Sequence, residues 1–257
     1  MGSTYQMTLV EQYELAENVL GFRFSLPDTS FQFISGQFIS LQIPWQQQII
    51  KRSYSIASSP LLAQKQGLLE MSVALVEGGR ASQYLTNMQP GDQLEMMGPY
   101  GRLILPEQLP SRIVLVGTGT GIAPYRAMIP ELKQLAKQDC QIDIVMGVRT
   151  PSHLFYHQDF SELAAEFTNV HYWVCFSRQE VSDSIFDSEH LHLNNHYTSK
   201  KSYVQTLLSE LDLNPENTIV FLCGNPAMID AAAVLLQNEK GFPIKQVRRE
   251  KYVLSSS

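Results

Sequence analysis

The chain has 257 residues, 44% hydrophobic and 17% charged, enough for one large or two modest domains with a sizeable core and no disulfide staples. Lys and Arg number 19 against 25 Asp and Glu, and the formal net charge of −6 argues against a general nucleic-acid binder. Cys140, Cys175 and Cys223 are too few and too scattered for an iron–sulfur cluster or a disulfide framework, and with no charged-then-apolar leader and no run near the ~18 apolar residues of a membrane span, a cytoplasmic setting is expected.

Up to about residue 105 the chain reads as short strands divided by turns. Apolar and polar residues alternate over 22–26, 31–33, 38–43, 52–58 and 68–76. Pro90-Gly91-Asp92 is a turn, and 93–97 follows as another strand. This period and punctuation predict a small barrel or sandwich, with one short helix around 81–88.

Beyond Pro106 and Pro110 the pattern changes. Continuous apolar runs at 113–116, 142–148, 170–176 and 219–223 alternate with helical stretches at 124–138, 159–167, 203–211 and 226–238. Such alternation predicts βαβ units and a parallel sheet covered on both faces. The boundary falls near residue 108, in a Pro-Glu-Gln-Leu-Pro linker. The polar stretch 190–201 reads as a loop at a sheet edge.

Four segments carry chemistry. Gly117-Thr118-Gly119-Thr120-Gly121-Ile122-Ala123-Pro124 sits where an apolar strand meets a helix. There glycines admit a pyrophosphate close to the backbone, and first-turn N–H groups attract it. The same segment could be a tight turn with no ligand. Arg52-Ser53-Tyr54-Ser55 offers a forked phosphate partner and, two residues on along a strand, a ring on the same face; it could equally be an ordinary amphipathic strand. Gly78-Gly79-Arg80-Ala81-Ser82 opens the short helix, as an anion cradle or a capped turn. Cys223-Gly224-Asn225-Pro226 ends the fourth apolar run, where Cys223 is either ligand-facing or a small buried hydrophobe. His190, His192 and His196, like His153 and His157, lack a Cys or carboxylate frame, so no metal site is expected.

Taken in order, Arg-x-Tyr-Ser, Gly-x-x-Ser, Gly-Thr-Gly-Ile-Ala-Pro, Cys-Gly-x-Pro and a late Glu-x-Tyr resemble the ferredoxin–NADP reductase family over about residues 5–254. The resemblance implies a six-stranded antiparallel FAD-binding β-barrel over 1–107. A Rossmann-like parallel α/β domain binding NAD(P) would follow over 108–257, with a C-terminal tail returning to the flavin. It implies FAD contacts from Arg52, Ser53, Tyr54, Ser55, Gly79, Arg80, Ala81, Ser82, Thr120 and Tyr252. NADP(H) contacts would come from Gly119, Thr120, Gly121, Pro124, Arg149, Ser177, Arg178, Lys201, Tyr203, Cys223, Gly224, Pro226 and Met228. Ser55, Cys223, Glu250 and Tyr252 would be the catalytic set. Ser177-Arg178 and Lys201-x-Tyr203 are similar to the family's clamp on the 2′-phosphate and adenine, which implies a preference for NADPH.

The implied activity is hydride transfer between NADPH and FAD, with single electrons passing to or from a separate ferredoxin or flavodoxin. A monomer without nucleic-acid or membrane partners is expected. One departure matters: residues 253–257 continue past Tyr252, as in reductases that serve oxygenases. The alternatives are therefore an oxygenase reductase component or a free-flavin or quinone-type reductase.

Overall fold

The structure, a computed structural model, describes residues 3–26, 30–108, 110–178, 195–197 (backbone only) and 202–252. It divides into two compact units. The first runs to Leu105 and takes in Ala123–Met128; the second holds Pro106–Ile122 and the chain from Ile129.

The first unit contains β1 (Ser3–Ala16), β2 (Val19–Ser25), β3 (Phe38–Trp45), β4 (Gln48–Ser55), α1 (Pro60–Gln66), β5 (Leu68–Ala74), α2 (Arg80–Asn87) and β6 (Gln93–Tyr100). The sheet order is β4-β3-β6-β1-β2-β5, and every pairing is antiparallel. Ile56, just past β4, bridges Met71 of β5, so the two ends of the sheet meet and it closes into a barrel. Closure follows from the alternation: Phe22 and Phe24, Ile39, Leu41 and Ile43, Leu69 and Met71, Leu94 and Met96 all point into one core.

β1 escapes the sequence reading because its period breaks twice. Register shifts lie between Leu9 and Glu11 and between Glu14 and Ala16, so one long strand serves both β6 and β2. Residues 31–33, expected as a strand, belong to none. Phe31 and Phe33 nonetheless plug the barrel core, which explains their alternation.

The second unit contains β7 (Arg112–Thr118), α4 (Ile129–Ala136), β8 (Gln141–Val148), α5 (His157–Glu166), β9 (Val170–Phe176), β10 (Asn195–Tyr197), α6 (Val204–Glu210), β11 (Thr218–Gly224), α7 (Pro226–Val234) and β12 (Val247–Lys251). The short helix α3 (Ala123–Ala127) groups with the first unit. The six strands are parallel in the order β10-β9-β8-β7-β11-β12. The order reverses between β7 and β11, and parallel sheets take ligands beyond the carboxyl ends of the strands at such a switch point. Near the opposite end, Asp143 on β8 accepts from Arg112 on β7 at 2.8 Å and from the Trp173 indole on β9 at 3.0 Å. Its charge is thus paired where it is 1% exposed.

The helix expected over 124–138 is two helices. Pro130 has no N–H for the turn before it, and its ring crowds the preceding carbonyl, so α3 ends and α4 starts anew. The loop expected over 190–201 contains the short strand β10; its other residues lie outside the described ones.

Candidate functional site

In the first unit, β4 carries Arg52 and Tyr54 on one face by the two-residue period of a strand. Leu41 stands opposite Arg52, and Ile39 opposite Tyr54, across the β3 pairing. Arg52 is half-buried and donates one Nη1 bond to the Lys51 carbonyl at 2.8 Å. Burial pushes the Tyr54 phenol up to about 12, against the opposing pull of the Arg52 charge. Tyr54 is therefore a neutral ring packed against the barrel core, with a fixed cation beside it. Ser53 faces solvent, and Ser55 is buried at the strand end.

The amino end of α2 leaves backbone donors without a side-chain cap. Gly79 is its N-cap, and no side chain caps the first turn. The Ser82 hydroxyl instead accepts the Val76 N–H at 2.9 Å and holds the preceding turn. The first-turn N–H groups at Arg80, Ala81 and Ser82 have no intrahelical acceptor and carry the positive end of the helix dipole. Arg80 is exposed beside them, and Ala81 is buried. Taken separately, the guanidiniums and unspent N–H groups suit a diphosphate, and the neutral Tyr54 face suits a flat ring.

In the second unit, the glycine segment runs from the end of β7 through a tight turn at Gly119–Ile122. Its glycines differ in purpose. A Cβ on Gly121 would lie 2.3 Å from the Cys223 carbonyl oxygen, so Gly121 lets the ends of β7 and β11 touch. Gly224, at φ +119, would meet the Thr118 carbonyl at 2.6 Å. Gly119, at φ +53, has nothing within 4 Å of its Cβ position and leaves space for a ligand.

Cys223 sits between these features, fully buried, level with Gly117 on β7 and Glu250 on β12. Burial pushes its thiol far up, and the nearby Glu250 carboxylate adds to this, against weaker hydrogen bonding from Tyr252 and Gly224. Cys223 is thus a neutral thiol, not a thiolate nucleophile. Tyr252 donates its backbone N–H to the Gly224 carbonyl at 2.9 Å and its phenol O–H to the Thr120 carbonyl at 3.1 Å. The catalytic set expected in the second half, Cys223, Glu250 and Tyr252, is therefore assembled at the switch point together with Thr120 and Gly121.

Other expected nucleotide residues fall into two places. Ser177 donates its N–H to Val148 at 2.9 Å, and Arg178 donates to Arg149 at 3.0 Å. This brings exposed Arg149 and Arg178 together at the carboxyl ends of β8 and β9. Tyr203, 57% exposed, is the N-cap of α6. Lys201 lies outside the described residues. At α7 the side chain of Asn225 accepts the N–H groups of Ala227 at 2.8 Å and Met228 at 3.3 Å, and Pro226 has no N–H. This helix end is already capped, and the Met228 side chain packs into the core. Pro124 is buried in α3, which groups with the first unit.

Sequence reasoning missed Thr118 and Asn225. Thr118 Oγ1 accepts the Asn225 N–H at 3.1 Å and ties the two strand ends together. Asn before Pro at a strand–helix junction is an N-cap signature that could have identified Asn225.

Two family models match the chain in tandem. Residues 6–104 match the oxidoreductase FAD-binding domain, and 115–233 match the oxidoreductase NAD-binding domain. Ferredoxin–NADP reductase B of Sorangium cellulosum is 29% identical over 232 residues, covering 87% of this chain and 86% of that protein. Phenol hydroxylase P5 protein of Acinetobacter pittii is 26% identical over 251 residues, 97% of this chain but only 65% of the longer relative. A ferredoxin NADP+ reductase of Neisseria gonorrhoeae, solved with bound FAD and NADP, superposes with a TM-score of 0.80 at 21% identity, covering 98% of this chain and 100% of that one.

Barrel, parallel sheet and both nucleotide-binding domains define an FAD- and NAD(P)-binding oxidoreductase. Within that class, the chain is similar to ferredoxin–NADP reductases and shares their fold.

Proposed function

We propose that the chain is a ferredoxin- or flavodoxin-dependent NADPH reductase. The observation that carries this reading is the tandem order of the FAD-binding and NAD-binding domains, shared over most of both chains with the Sorangium reductase. Bound FAD would supply a ring that takes two electrons together and releases them one at a time. Arg52, Arg80 and the open first turn of α2 would hold its diphosphate. Tyr54 gives the ring a flat apolar support, and Ser55 places a hydroxyl at the end of the same strand.

On the nicotinamide side, Gly119 admits the dinucleotide backbone, and Arg178, Arg149 and Tyr203 receive the phosphorylated adenosine. Cys223 keeps its proton and offers a small, uncharged surface to the nicotinamide. Tyr252 would leave the Thr120 carbonyl as the coenzyme enters, a loss of about 1 kcal/mol for one neutral hydrogen bond. Glu250 stays beside the thiol and opposes its ionisation.

A second reading, an oxygenase reductase component, is favoured by residues 253–257 beyond Tyr252 and by the phenol hydroxylase relative. The test is anaerobic reduction of the FAD-loaded protein by NADPH, followed by cytochrome c reduction with and without added carrier. At least a tenfold stimulation by ferredoxin or flavodoxin is expected. A rate independent of both carriers would overturn the carrier assignment, and failure to bleach would overturn hydride transfer itself.

A further inference from the structure

The helix α3 lies in the half of the chain that matches the NAD-binding domain, yet it groups with the barrel. Its seat there accounts for the grouping. Arg126 Nη1 donates to the Glu70 carboxylate at 2.6 Å and to the Ala57 carbonyl at 3.2 Å. The Ser35 hydroxyl donates to the Ala127 carbonyl at 2.9 Å, and a Cβ on Gly36 would lie 2.5 Å from Met128 Cε. We propose that Arg126 and Glu70 are positioning residues for flavin reduction: through the Ala57 carbonyl they fix the strand end that carries Ser55. This rests on the reading that places the Ser55 hydroxyl at the flavin.

Two routes of hydrogen bonds converge on that strand end. In the first, Ala57 gives its N–H to the Glu70 carbonyl at 2.8 Å, and Glu70 gives its own N–H to the Ser58 hydroxyl at 2.9 Å. Arg126 closes a ring, since one nitrogen holds both the Ala57 carbonyl and the Glu70 side chain. In the second, Ile56 donates its N–H to the Gln37 carbonyl at 3.1 Å, two residues from the Ser35 hydroxyl that holds Ala127. Both routes run from α3 to the residues directly after Ser55.

Burial makes the strand end depend on these partners. Exposure alternates along β4 up to Tyr54, but Ser55, Ile56, Ala57 and Ser58 are all buried, so water does not replace a lost donor. Glu70 takes Arg23 on Oε1 at 2.6 Å and Arg126 on Oε2, so its carboxylate is pinned from both sides. Removing either member of the Arg126–Glu70 pair frees the Ala57 carbonyl to shift. Ser55 is two residues away, about 7 Å along the strand. A catalytic group misplaced by about 1 Å can cost about a hundredfold in rate, so a smaller shift of the hydroxyl is enough to be measured.

The experiment has two arms. In flavin-free protein, amide exchange at Ile56 and Ala57 should quicken about tenfold in Glu70→Gln and in Arg126→Gln, while the amides of β3 keep their wild-type protection. The second arm is a double-mutant cycle on FAD-loaded protein, mixed anaerobically with saturating NADPH well below its Tm. Each glutamine variant should slow bleaching about tenfold and leave the FAD dissociation constant and the KM for NADPH within about threefold. In a Ser55→Ala background the same substitutions should slow it by less than about twofold further, because the group they position is gone. Arg126→Lys keeps a cation beside Glu70 on a shorter, looser stem and serves if the glutamine variants do not fold. Its loss, about threefold, should also vanish without Ser55. Unchanged exchange at Ile56 and Ala57, or equal slowing with and without Ser55, would overturn the positioning role and leave the pair to stability alone. A Ser55→Ala protein that bleaches at the wild-type rate would overturn the flavin role of Ser55 itself, and the proposal with it.

Discussion

Glu70 is a carboxylate with 2% exposure, midway along a barrel strand. Arg126 Nη1 meets its Oε2 at 2.6 Å, and Arg23 Nη2 meets its Oε1 at 2.6 Å, with Glu11 on the far side of Arg23. Burial by itself would raise this carboxyl, but the hydrogen bonds and charges of Arg126 and then Arg23 outweigh it and hold it below the usual carboxylate range. The folded protein therefore binds this proton less readily than the unfolded chain, whose glutamate titrates near ~4.3. The resulting stability is present above that pH and is lost as pH falls through the folded value. Glu70→Ala should cost roughly 3 kcal/mol at pH 7, because it leaves two guanidiniums facing each other. Urea denaturation should show the gap to wild type narrowing as pH falls below the ~4.3 of the unfolded glutamate, where the unfolded chain takes up a proton that the folded carboxyl still resists. An equal gap at pH 7 and pH 3 would contradict this account. None of this was legible in the sequence, since Arg23, Glu70 and Arg126 are far apart in the chain and meet only through the fold. The Arg52, Tyr54 and Cys223 positions were legible because each belongs to a short motif at a strand end.

At the level of elements, the glycine turn shows what a motif can and cannot say. Its spacing located the strand–helix junction and marked Gly119 and Gly121 alike as coenzyme contacts. The structure separates them, and a pair of substitutions would test the separation. Gly121→Ala puts a Cβ 2.3 Å from the Cys223 carbonyl, a backbone atom of β11 that has no flexible end to give. It should lower stability by about 2 kcal/mol or more, seen as a drop in Tm. Gly119→Ala meets no atom and should cost only about 1 kcal/mol, for the positive φ. Its main effect should be a rise in KM for NADPH. Equal Tm losses would erase the distinction. The same contrast explains which elements were legible: unbroken apolar runs gave β7, β8, β9 and β11, whereas bulges concealed β1 and Pro130 split an otherwise helical pattern.

Across the whole molecule, a net charge of −6 opposes every anionic coenzyme the chain would bind. That opposition is weak at physiological salt, where exposed charges are screened beyond about 8 Å. Recognition of a phosphorylated adenosine must then come from cations at the site. Arg149 and Arg178 are both exposed and are joined through their backbones at the ends of β8 and β9. A guanidinium would discriminate here because a 2′-phosphate can accept its forked donors with two extra charges, while a ribose hydroxyl gains little from it. Arg178→Ala should therefore raise KM for NADPH about tenfold and leave KM for NADH within about twofold. NADPH should respond more steeply to salt than NADH in wild type, and the two should converge in the same variant, which removes the expected charge pair. Parallel losses for both coenzymes, with the salt dependence unchanged, would take Arg178 out of coenzyme selection and leave NADPH preference without a cation to carry it.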